Sequence, residues 1–337
     1  MIQAGKGARF SLSGALFCCV VVLLVLCFVS LLVGAGEVGP VRSLHALLSS
    51  GDGEARFVIS ELRLPRTLLG LVVGVALGGA GVVLQSATRN PLAEPGLLGV
   101  SAGASFAVVL AIGLGASAAT LNLGVAVLGA LAGCLLVLLV SQVRGVGDDP
   151  VRLVLAGAAF SGILTAISSL ILLNDQRSAD EIRFWIIGAL AGRPQDALIW
   201  STPGALLGLL ILMPLIQPLS ALALGEKMAT GLGHHPALTR FGALTGVAVL
   251  VGTATAAAGP IAFIGLVVPF VARRLVGPDI RRTIGVSLLL GPSIILFADI
   301  LSRLIVRPYE LPIGVITALI GAPVLIAVVR SHRIPTL

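Results

Sequence analysis

Charged side chains are scarce in this sequence. Asp, Glu, Lys and Arg together make up 11% of its 337 residues, while hydrophobic residues make up 57%. A soluble globular domain has about 25% charged residues, because its surface must be covered by groups that water solvates. The composition therefore excludes an ordinary soluble protein and indicates that most of this chain is solvated by lipid.

The apolar segments also lack the alternation of polar and apolar residues that strands of a transmembrane β-barrel need. The run LFCCVVVLLVLCFVSLLV is apolar at nearly every position. A backbone in lipid must make its hydrogen bonds within its own segment, so we predict an all-α polytopic membrane protein. Gly, Pro and charged clusters divide it into about ten predicted spans, over 11–33, 64–87, 97–115, 121–143, 151–173, 197–216, 239–258, 261–276, 283–302 and 312–330.

Motifs for nucleotide or metal chemistry are missing as well. The two lysines, Lys6 and Lys227, are followed by Gly and Met, whereas a phosphate-binding P-loop needs Lys followed by Ser or Thr. There is no HExxH motif, and no CxxC accompanies the four cysteines. We therefore predict that this chain has no catalytic centre, no metal site and no bound cofactor, and that Cys18, Cys19, Cys27 and Cys134 are small buried hydrophobes.

Basic residues are spread over loops rather than gathered into a run, although the net charge is +7. This distribution argues against a nucleic-acid partner and for membrane topology. An even number of spans puts both termini on one side, and a modest majority of the Lys and Arg residues then falls on that side, which the positive-inside rule assigns to the cytoplasm. We expect a multi-pass protein of the plasma (inner) membrane with both termini cytoplasmic and its first apolar run retained as a helix.

The predicted organisation is a single transmembrane domain, 1–337, with a cytosolic segment at about 217–238. A long connection, 174–196, is expected to carry one short half-buried helix around Phe184 to Leu190. Small residues recur in the helices, as in LAGAAFSG and TATAAAG. They are typical of close helix contacts in lipid, and they would also line a wide path for a bulky solute.

Two arginines flank Pro65 where an apolar run begins, in ELRLPRTLLG. An arginine at the centre of a bilayer costs roughly 2.5–3.5 kcal/mol on insertion scales, so we expect Arg63 and Arg66 at the outer surface, free of that cost. Guanidinium groups there suit bidentate contacts with carboxylates, while snorkelling to lipid headgroups is the structural alternative. Farther along, Asp299 and Arg303 are spaced i,i+4 with the acid first, which favours an ion pair on one helix.

The stretch LALGEKMATGLG lies on the predicted cytosolic side. Leu222, Leu224, Met228 and Leu232 could form one loose apolar stripe on a short helix that Gly231 and Gly233 interrupt. The alternative is a plain linker. Linkers rarely expose this much apolar surface, so docking to a partner is favoured.

Five stretches, taken in order, carry a family resemblance: RLPRTL, RNPLAEPGLLGVSAGA, LALGEKMATGLG, AGPIAFIGLVVP and ELPIGVITALIGAP. Together they resemble the permeases of ABC importers for ferric siderophores, haem and cobalamin, from about Arg63 to the C-terminus. The resemblance implies a type II importer fold with ten transmembrane helices per subunit. It also implies a second permease subunit, identical or different, two cytosolic ATPase subunits that carry the ATP and Mg²⁺, and a substrate-binding protein outside.

The resemblance assigns three groups of residues in this chain. Arg63, Arg66 and Arg303 would reach acidic residues of the binding protein. The helices that couple to the ATPase would comprise Leu222, Leu224, Gly225, Glu226, Met228, Ala229, Leu232 and Gly233. Asn90, Pro91 and Leu92 would lie in a cytoplasmic gate. One departure is Phe270, which stands where family members usually have histidine after the VP of the eighth span.

The functional expectation is an importer subunit that moves an iron complex by alternating access and performs no covalent chemistry. An ion-coupled secondary transporter is the main alternative. Such transporters usually need ionisable residues deep in the bundle, and in the predicted spans Asp299 is the deepest candidate. A membrane-embedded enzyme is disfavoured, because no catalytic constellation is evident.

Overall fold

The computed structural model describes residues 11–48, 52–116, 123–141, 150–174, 185–194 and 196–330, and every regular element in these ranges is a helix. Short π and 3-10 turns occupy Val58–Arg63, Pro95–Leu98 and Met213–Leu215. The α-helices in chain order are α1 (Leu12–Leu32), α2 (Pro40–Leu48), α3 (Gly53–Phe57), α4 (Leu64–Thr88), α5 (Val100–Gly113), α6 (Leu123–Ser141), α7 (Pro150–Asn174), α8 (Asp196–Leu212), α9 (Ile216–Ala223), α10 (Glu226–Gly231), α11 (Pro236–Ala258), α12 (Ile264–Val276), α13 (Ile280–Leu304) and α14 (Ile313–Arg330).

The prediction of an all-α polytopic membrane protein is confirmed, and each of the ten predicted apolar segments contains a described helix. By length and apolarity, six candidate spans are found in the described residues: Leu12–Leu32, Gly53–Thr88, Leu155–Leu173, Asp196–Ala223, Pro236–Ala258 and Ile280–Leu304. Three shorter apolar helices lie in α5, α6 and α14. The count of ten crossings therefore stays a prediction.

Helix α4 forms the centre of the bundle. From Leu69 to Ala87 it is buried at nearly every position, and it packs against α8, α11, α12 and α13. A helix that is apolar all round and surrounded by other helices has no stripe that distinguishes an inner from an outer face. Amphipathic periodicity in the sequence therefore does not identify α4 as the central helix.

Glycine allows the helices next to α4 to approach it closely. A Cβ atom placed on Gly74 would collide with the backbone of Pro292, and one on Gly78 would lie 2.7 Å from the carbonyl oxygen of Ser287. Helices α5 and α6 meet in the same way, since a Cβ on Gly103 would lie 3.0 Å from the Cα of Gly133. In lipid, where no hydrophobic force drives helices together, such backbone contact supplies much of the packing energy.

Helix α1 lies at the edge of the bundle. Ser11 caps its start by accepting a hydrogen bond from the Gly14 N–H at 3.1 Å, and only 17% of its most apolar window is buried. Large side chains such as Phe17 and Leu24 are 73% and 64% exposed, which fits contact with lipid chains. Of the four cysteines, Cys19 and Cys134 are buried as predicted and Cys27 is half-buried, but Cys18 is exposed on this helix, so its predicted burial is wrong.

The long connection before α8 is described from Trp185 onward, and Phe184 lies outside the described residues. Trp185 and Ile186 are helical, and Leu190 is 2% exposed. Gly188 has a φ of 80°, which favours glycine, and its N–H donates to the carbonyl of Trp185 at 3.1 Å. The segment therefore folds back into the bundle rather than extending over its surface.

The α4–α13 contact can be tested with two glycines of the same helix. We expect Gly291→Ala to destabilise the fold by about 1–3 kcal/mol, because its Cβ would collide with the Gly74 carbonyl of α4. Gly285→Ala should be neutral or slightly stabilising, because no atom lies within 4 Å of the added Cβ. Thermal unfolding in detergent would measure both, and equal melting temperatures would contradict the proposed contact.

Candidate functional site

A buried carboxylate organises one end of the bundle, here called the arginine end. Asp299 of α13 is 0% exposed and accepts hydrogen bonds from Nε and Nη2 of Arg66 at 2.9 and 2.7 Å. Its other oxygen accepts from Arg303, one turn farther along α13, which confirms the i,i+4 pair expected from the sequence. One carboxylate is thus shared by two guanidinium groups, so removing it would leave two positive charges in a desolvated site.

Arg66 has a second acidic partner. Its Nη1 lies 2.6 Å from Oε2 of Glu310, in the loop between α13 and α14. The Glu310 side chain is 29% exposed, whereas that of Arg66 is 12% exposed. Arg66 therefore has one fully buried and one partly exposed carboxylate partner.

Arg63 and Arg303 hold the end of α1 in place. Arg63 donates to the carbonyls of Leu31 and Leu32 at 3.0 and 2.9 Å, and Arg303 donates to those of Ser30 and Val33 at 2.9 and 3.0 Å. These four carbonyls end the helix and have no acceptor role within it, so the two side chains supply a C-terminal cap.

The expectation that Arg63 and Arg66 escape desolvation is wrong. Arg63 is 5% exposed and the Arg66 side chain is 12% exposed, and Arg303 is as deeply buried at 1%. Gly34 makes room for the Arg63 guanidinium, since a Cβ there would lie 2.6 Å from Nη2. Carbonyl oxygens and Asp299 replace the lost water, which explains how the charges are tolerated. The docking role of Arg63, Arg66 and Arg303 itself stays a prediction.

A cavity of 490 Å³ opens at the arginine end. Sequence reasoning missed Arg193, which lines this cavity and donates to the carbonyls of Ala189 at 2.9 Å and Ala258 at 3.2 Å. Burial lowers the pKa of Arg193 to about 10, so it remains charged at neutral pH. The only sequence signal was an isolated charge in the turn-forming context GRP. Other charged lining residues include Glu37, Glu54, Glu61 and Glu310.

The predicted gate residues form a compact turn after α4. Arg89 ends the helix with a φ of 51°, and the Asn90 N–H donates to the carbonyl of Gln85 at 3.1 Å. The side-chain oxygen of Asn90 then accepts from the Leu92 N–H at 2.9 Å, an Asx turn. Pro91 lies between them, so the turn at Asn90, Pro91 and Leu92 is fixed by its own hydrogen bonds. Its role as a gate stays a prediction.

Gln85 and Glu94, two polar residues that the sequence analysis did not single out, connect this turn to the start of α12. Gln85 is 0% exposed and donates to the carbonyls of Ala93 at 3.3 Å and Gly265 at 3.4 Å, while its side-chain oxygen accepts from Arg273. Glu94 accepts from the Phe263 N–H. A glutamine inside the run VVLQSAT was the signal that could have revealed the first of these contacts.

The start of α12 and the short Pro95–Leu98 turn therefore lie level with the buried half of α4. The Gly265 backbone touches Gly81, and a Cβ on Gly265 would lie 2.7 Å from Pro95. Irregular backbone at membrane depth is tolerated where protein buries it or where it lines a cavity. An adjoining groove of 590 Å³ is lined mainly by small and aliphatic residues: Gly96, Ser101, Ile186, Ile187, Pro260, Ile261, Ala262, Gly314, Val315, Ala318 and Leu319.

The predicted coupling residues divide between two short helices at the end opposite the arginines. Gly225, with a φ of 113°, separates α9 from α10. Leu224, Met228 and Leu232 are exposed at 67%, 56% and 59%, and form an apolar knob. Leu222 is 0% exposed, so its predicted place in the outward stripe is wrong: it belongs to α9 and packs into the core.

The remaining coupling residues brace the knob. Ala229 is 1% exposed and fixes α10 against the bundle. Glu226 forms an ion pair with Arg240 of α11 at 2.5 Å. Gly233, with a φ of 83°, ends the segment before α11 begins. The knob is thus held from both sides while its apolar residues point outward.

Phe270, which stands where the family resemblance leads us to expect histidine, contacts a cation on the same helix. The Arg274 guanidinium lies 4.7 Å from the centroid of the Phe270 ring, within cation–π distance. These residues are four apart on α12, so one helix face presents an aromatic–cation pair. No ion-coupling group is supplied at this position.

This fold is that of an ABC importer permease. A solved inward-facing conformation of a metal-chelate type ABC transporter superposes with a TM-score of 0.80 at 31% sequence identity, covering 94% of this chain and 98% of the other. The chain belongs to the FecCD transport family, whose model matches residues 22–331.

Curated relatives agree with this assignment. The chain is 44% identical to the ferric enterobactin transport system permease protein FepD of Escherichia coli (strain K12), over 91% of this chain and 92% of the relative. It is 34% identical to the Fe(3+)-citrate import system permease protein YfmD of Bacillus subtilis (strain 168), over 95% and 96%. The protein is accordingly a permease subunit rather than an enzyme, and an importer component rather than an ion-coupled secondary transporter.

The Asp299 cluster predicts an asymmetric response to neutralising acids. Asp299→Asn should destabilise the protein by about 3–5 kcal/mol, because Arg66 and Arg303 would lose their shared buried counter-charge. Glu54→Gln should leave stability nearly unchanged, because its ion pair with Arg42 is exposed. Unfolding in detergent would compare them. Similar losses in both variants would argue against the buried cluster as a stabilising centre.

Proposed function

We propose that this permease carries an iron complex, a ferric siderophore foremost, across the inner membrane after a substrate-binding protein delivers it. Haem or cobalamin is the alternative cargo. The observation that carries the proposal is the 44% identity, over 91% of this chain, to a ferric enterobactin permease. The wide groove with its small and aliphatic lining is compatible with a bulky chelate.

The proposed assembly has a second permease subunit facing the groove, either an identical chain or a paired one. Two ATPase subunits bind ATP and Mg²⁺, and this chain binds no cofactor. Closure of the ATPases would move the coupling helices and switch the pore between outward and inward access. Both termini would lie in the cytoplasm, on the same side as α9 and α10.

The binding protein would dock at the arginine end. Arg66 is the best candidate for direct contact, because it already binds a partly exposed carboxylate at the edge of the cavity. Arg63 and Arg303 would support the surface from below by holding the end of α1. Charge complementarity of this kind raises the association rate and orients the partner.

At the other end, the knob of Leu224, Met228 and Leu232 would fill an apolar cleft of the ATPase. Its exposed area suits a buried contact, and the ion pair of Glu226 with Arg240 would transmit force from α10 to α11. The Asn90–Leu92 turn would serve as the cytoplasmic gate. Gln85 and Glu94 would make that gate move together with α12, because both residues bond to its first turn or the residue before it.

Uptake into proteoliposomes tests the cargo and the energy source together. The chain would be reconstituted with its cognate ATPase and binding protein, and supplied with radioactive iron as the ferric enterobactin complex. We expect accumulation that requires ATP and both partners. Accumulation by the chain alone, driven by a pH gradient, would overturn the mechanism, whereas ATP-driven uptake of cobalamin but not of the iron complex would overturn the cargo.

The coupling knob predicts a separation of ATP hydrolysis from transport. Met228→Glu should reduce ATP-driven uptake at least about tenfold with hydrolysis retained, because a buried charge without a partner opposes docking in an apolar cleft. The control is Ala237→Glu, which adds the same charge at an exposed site in the first turn of α11. Equal uptake in the two variants would contradict the proposed contact.

A further inference from the structure

The loop between α13 and α14 is attached to the bundle at few described points. The Leu311 N–H donates to the carbonyl of Ser302 at 3.1 Å, and Glu310 pairs with Arg66 at 2.6 Å. Beyond the loop, the Gly314 N–H donates to the carbonyl of Gly188 at 3.2 Å. Of these links, the ion pair alone reaches α4, the central helix.

The same loop leads directly into the groove. Helix α14 begins at Ile313, three positions after Glu310, and its Gly314, Val315, Ala318 and Leu319 line the groove of 590 Å³. Gly314 is packed against the backbone of Ile187, so the first turn of α14 cannot shift without changing that contact. A displacement of Glu310 would therefore shift the first turn of α14, where this helix lines the groove.

The two acidic partners of Arg66 are unequal. Asp299 is fully buried, accepts two hydrogen bonds from Arg66 and also binds Arg303, so exchanging it would expose several desolvated charges. Glu310 is 29% exposed and makes one bond to Arg66. A partly exposed ion pair contributes little net free energy and can be replaced by another carboxylate at low cost.

We propose that Glu310 is a positioning residue that links occupation of Arg66 to the outer end of α14. An incoming carboxylate competes with Glu310 for Arg66, and the released loop loosens α14 at the groove. The competition rests on the docking role proposed above, whereas the link from Glu310 to α14 does not. Without a docking partner, Glu310 thus makes the contact to Arg66 that the partner's carboxylate would otherwise make.

The link is testable without any partner. Val315 is 38% exposed and lines the groove, so Val315→Cys in a chain whose four native cysteines are replaced by Ala gives a single reporter thiol. Its labelling rate with a membrane-impermeant maleimide would be measured in proteoliposomes. Glu310→Gln should raise the rate about threefold, as expected for loss of a partly exposed ion pair.

Matched variants separate this link from general loosening. Glu37→Gln neutralises another acid that lines the same cavity and should leave the rate unchanged. Glu310→Asp retains the charge and should restore part of the wild-type rate. Unchanged labelling in Glu310→Gln, or an equal rise in Glu37→Gln, would overturn the link.

Docking is tested separately with the cognate binding protein. Glu310→Gln should lower its dissociation constant for the complete transporter about threefold, because Arg66 is no longer shared, and Arg66→Gln should weaken capture. Capture unaffected by Arg66→Gln would overturn the docking proposal and the competition together. Capture that depends on Arg66 but not on Glu310 would overturn the competition alone. The labelling result decides the link to α14 in either case.

Discussion

Direct contact between helix backbones is the constraint on which this structure depends. Lipid chains are as apolar as leucine, so burial of apolar side chains does not by itself stabilise α4 at the centre of the bundle. Gly74, Gly78 and Gly81 bring its backbone against α13 and α12, where the closest partners are main-chain atoms of Pro292, Ser287 and Gly265. With α4 fixed, its first turn brings Arg66 to Asp299, and its last turn leads into the Asn90–Leu92 turn. The two ends at which function is proposed are thus set by one central packing arrangement.

The sequence was sufficient for the helical class and for contacts between residues close in the chain. The Asp299–Arg303 pair follows from i,i+4 spacing, and the apolar character of α10 follows from Leu224, Met228 and Leu232. Contacts across the bundle were not accessible in this way. Arg66 meets Asp299 across 233 positions, and the acceptors of Arg63 are backbone carbonyls, which no residue type reveals. Leu222 was misassigned because the break at Gly225 depends on a backbone conformation that the apolar spacing does not report.

Buried and half-buried arginines give the arginine end of this permease a polar framework. Arg63 and Arg303 cap α1, Arg193 bridges the backbone near Ala189 to the end of α11, and Arg66 joins α4 to the loop before α14. Each guanidinium has several donors in one rigid plane, so a single side chain can connect two or three segments. Lysine would provide a point charge without this geometry, which fits the use of arginine at all four positions. A surface built in this way can present charge to a partner and remain ordered before the partner arrives.

The short helices α5 and α12 have a consequence for permeation. At 1.5 Å per residue, their 14 and 13 residues extend for only about two thirds of a hydrocarbon layer roughly 30 Å thick. The Pro95–Leu98 turn and the Gly259–Phe263 connection occupy the depth that these helices leave uncovered. A solute that crosses beside α5 and α12 would therefore meet helix ends and turns, rather than the continuous side of a full-length helix.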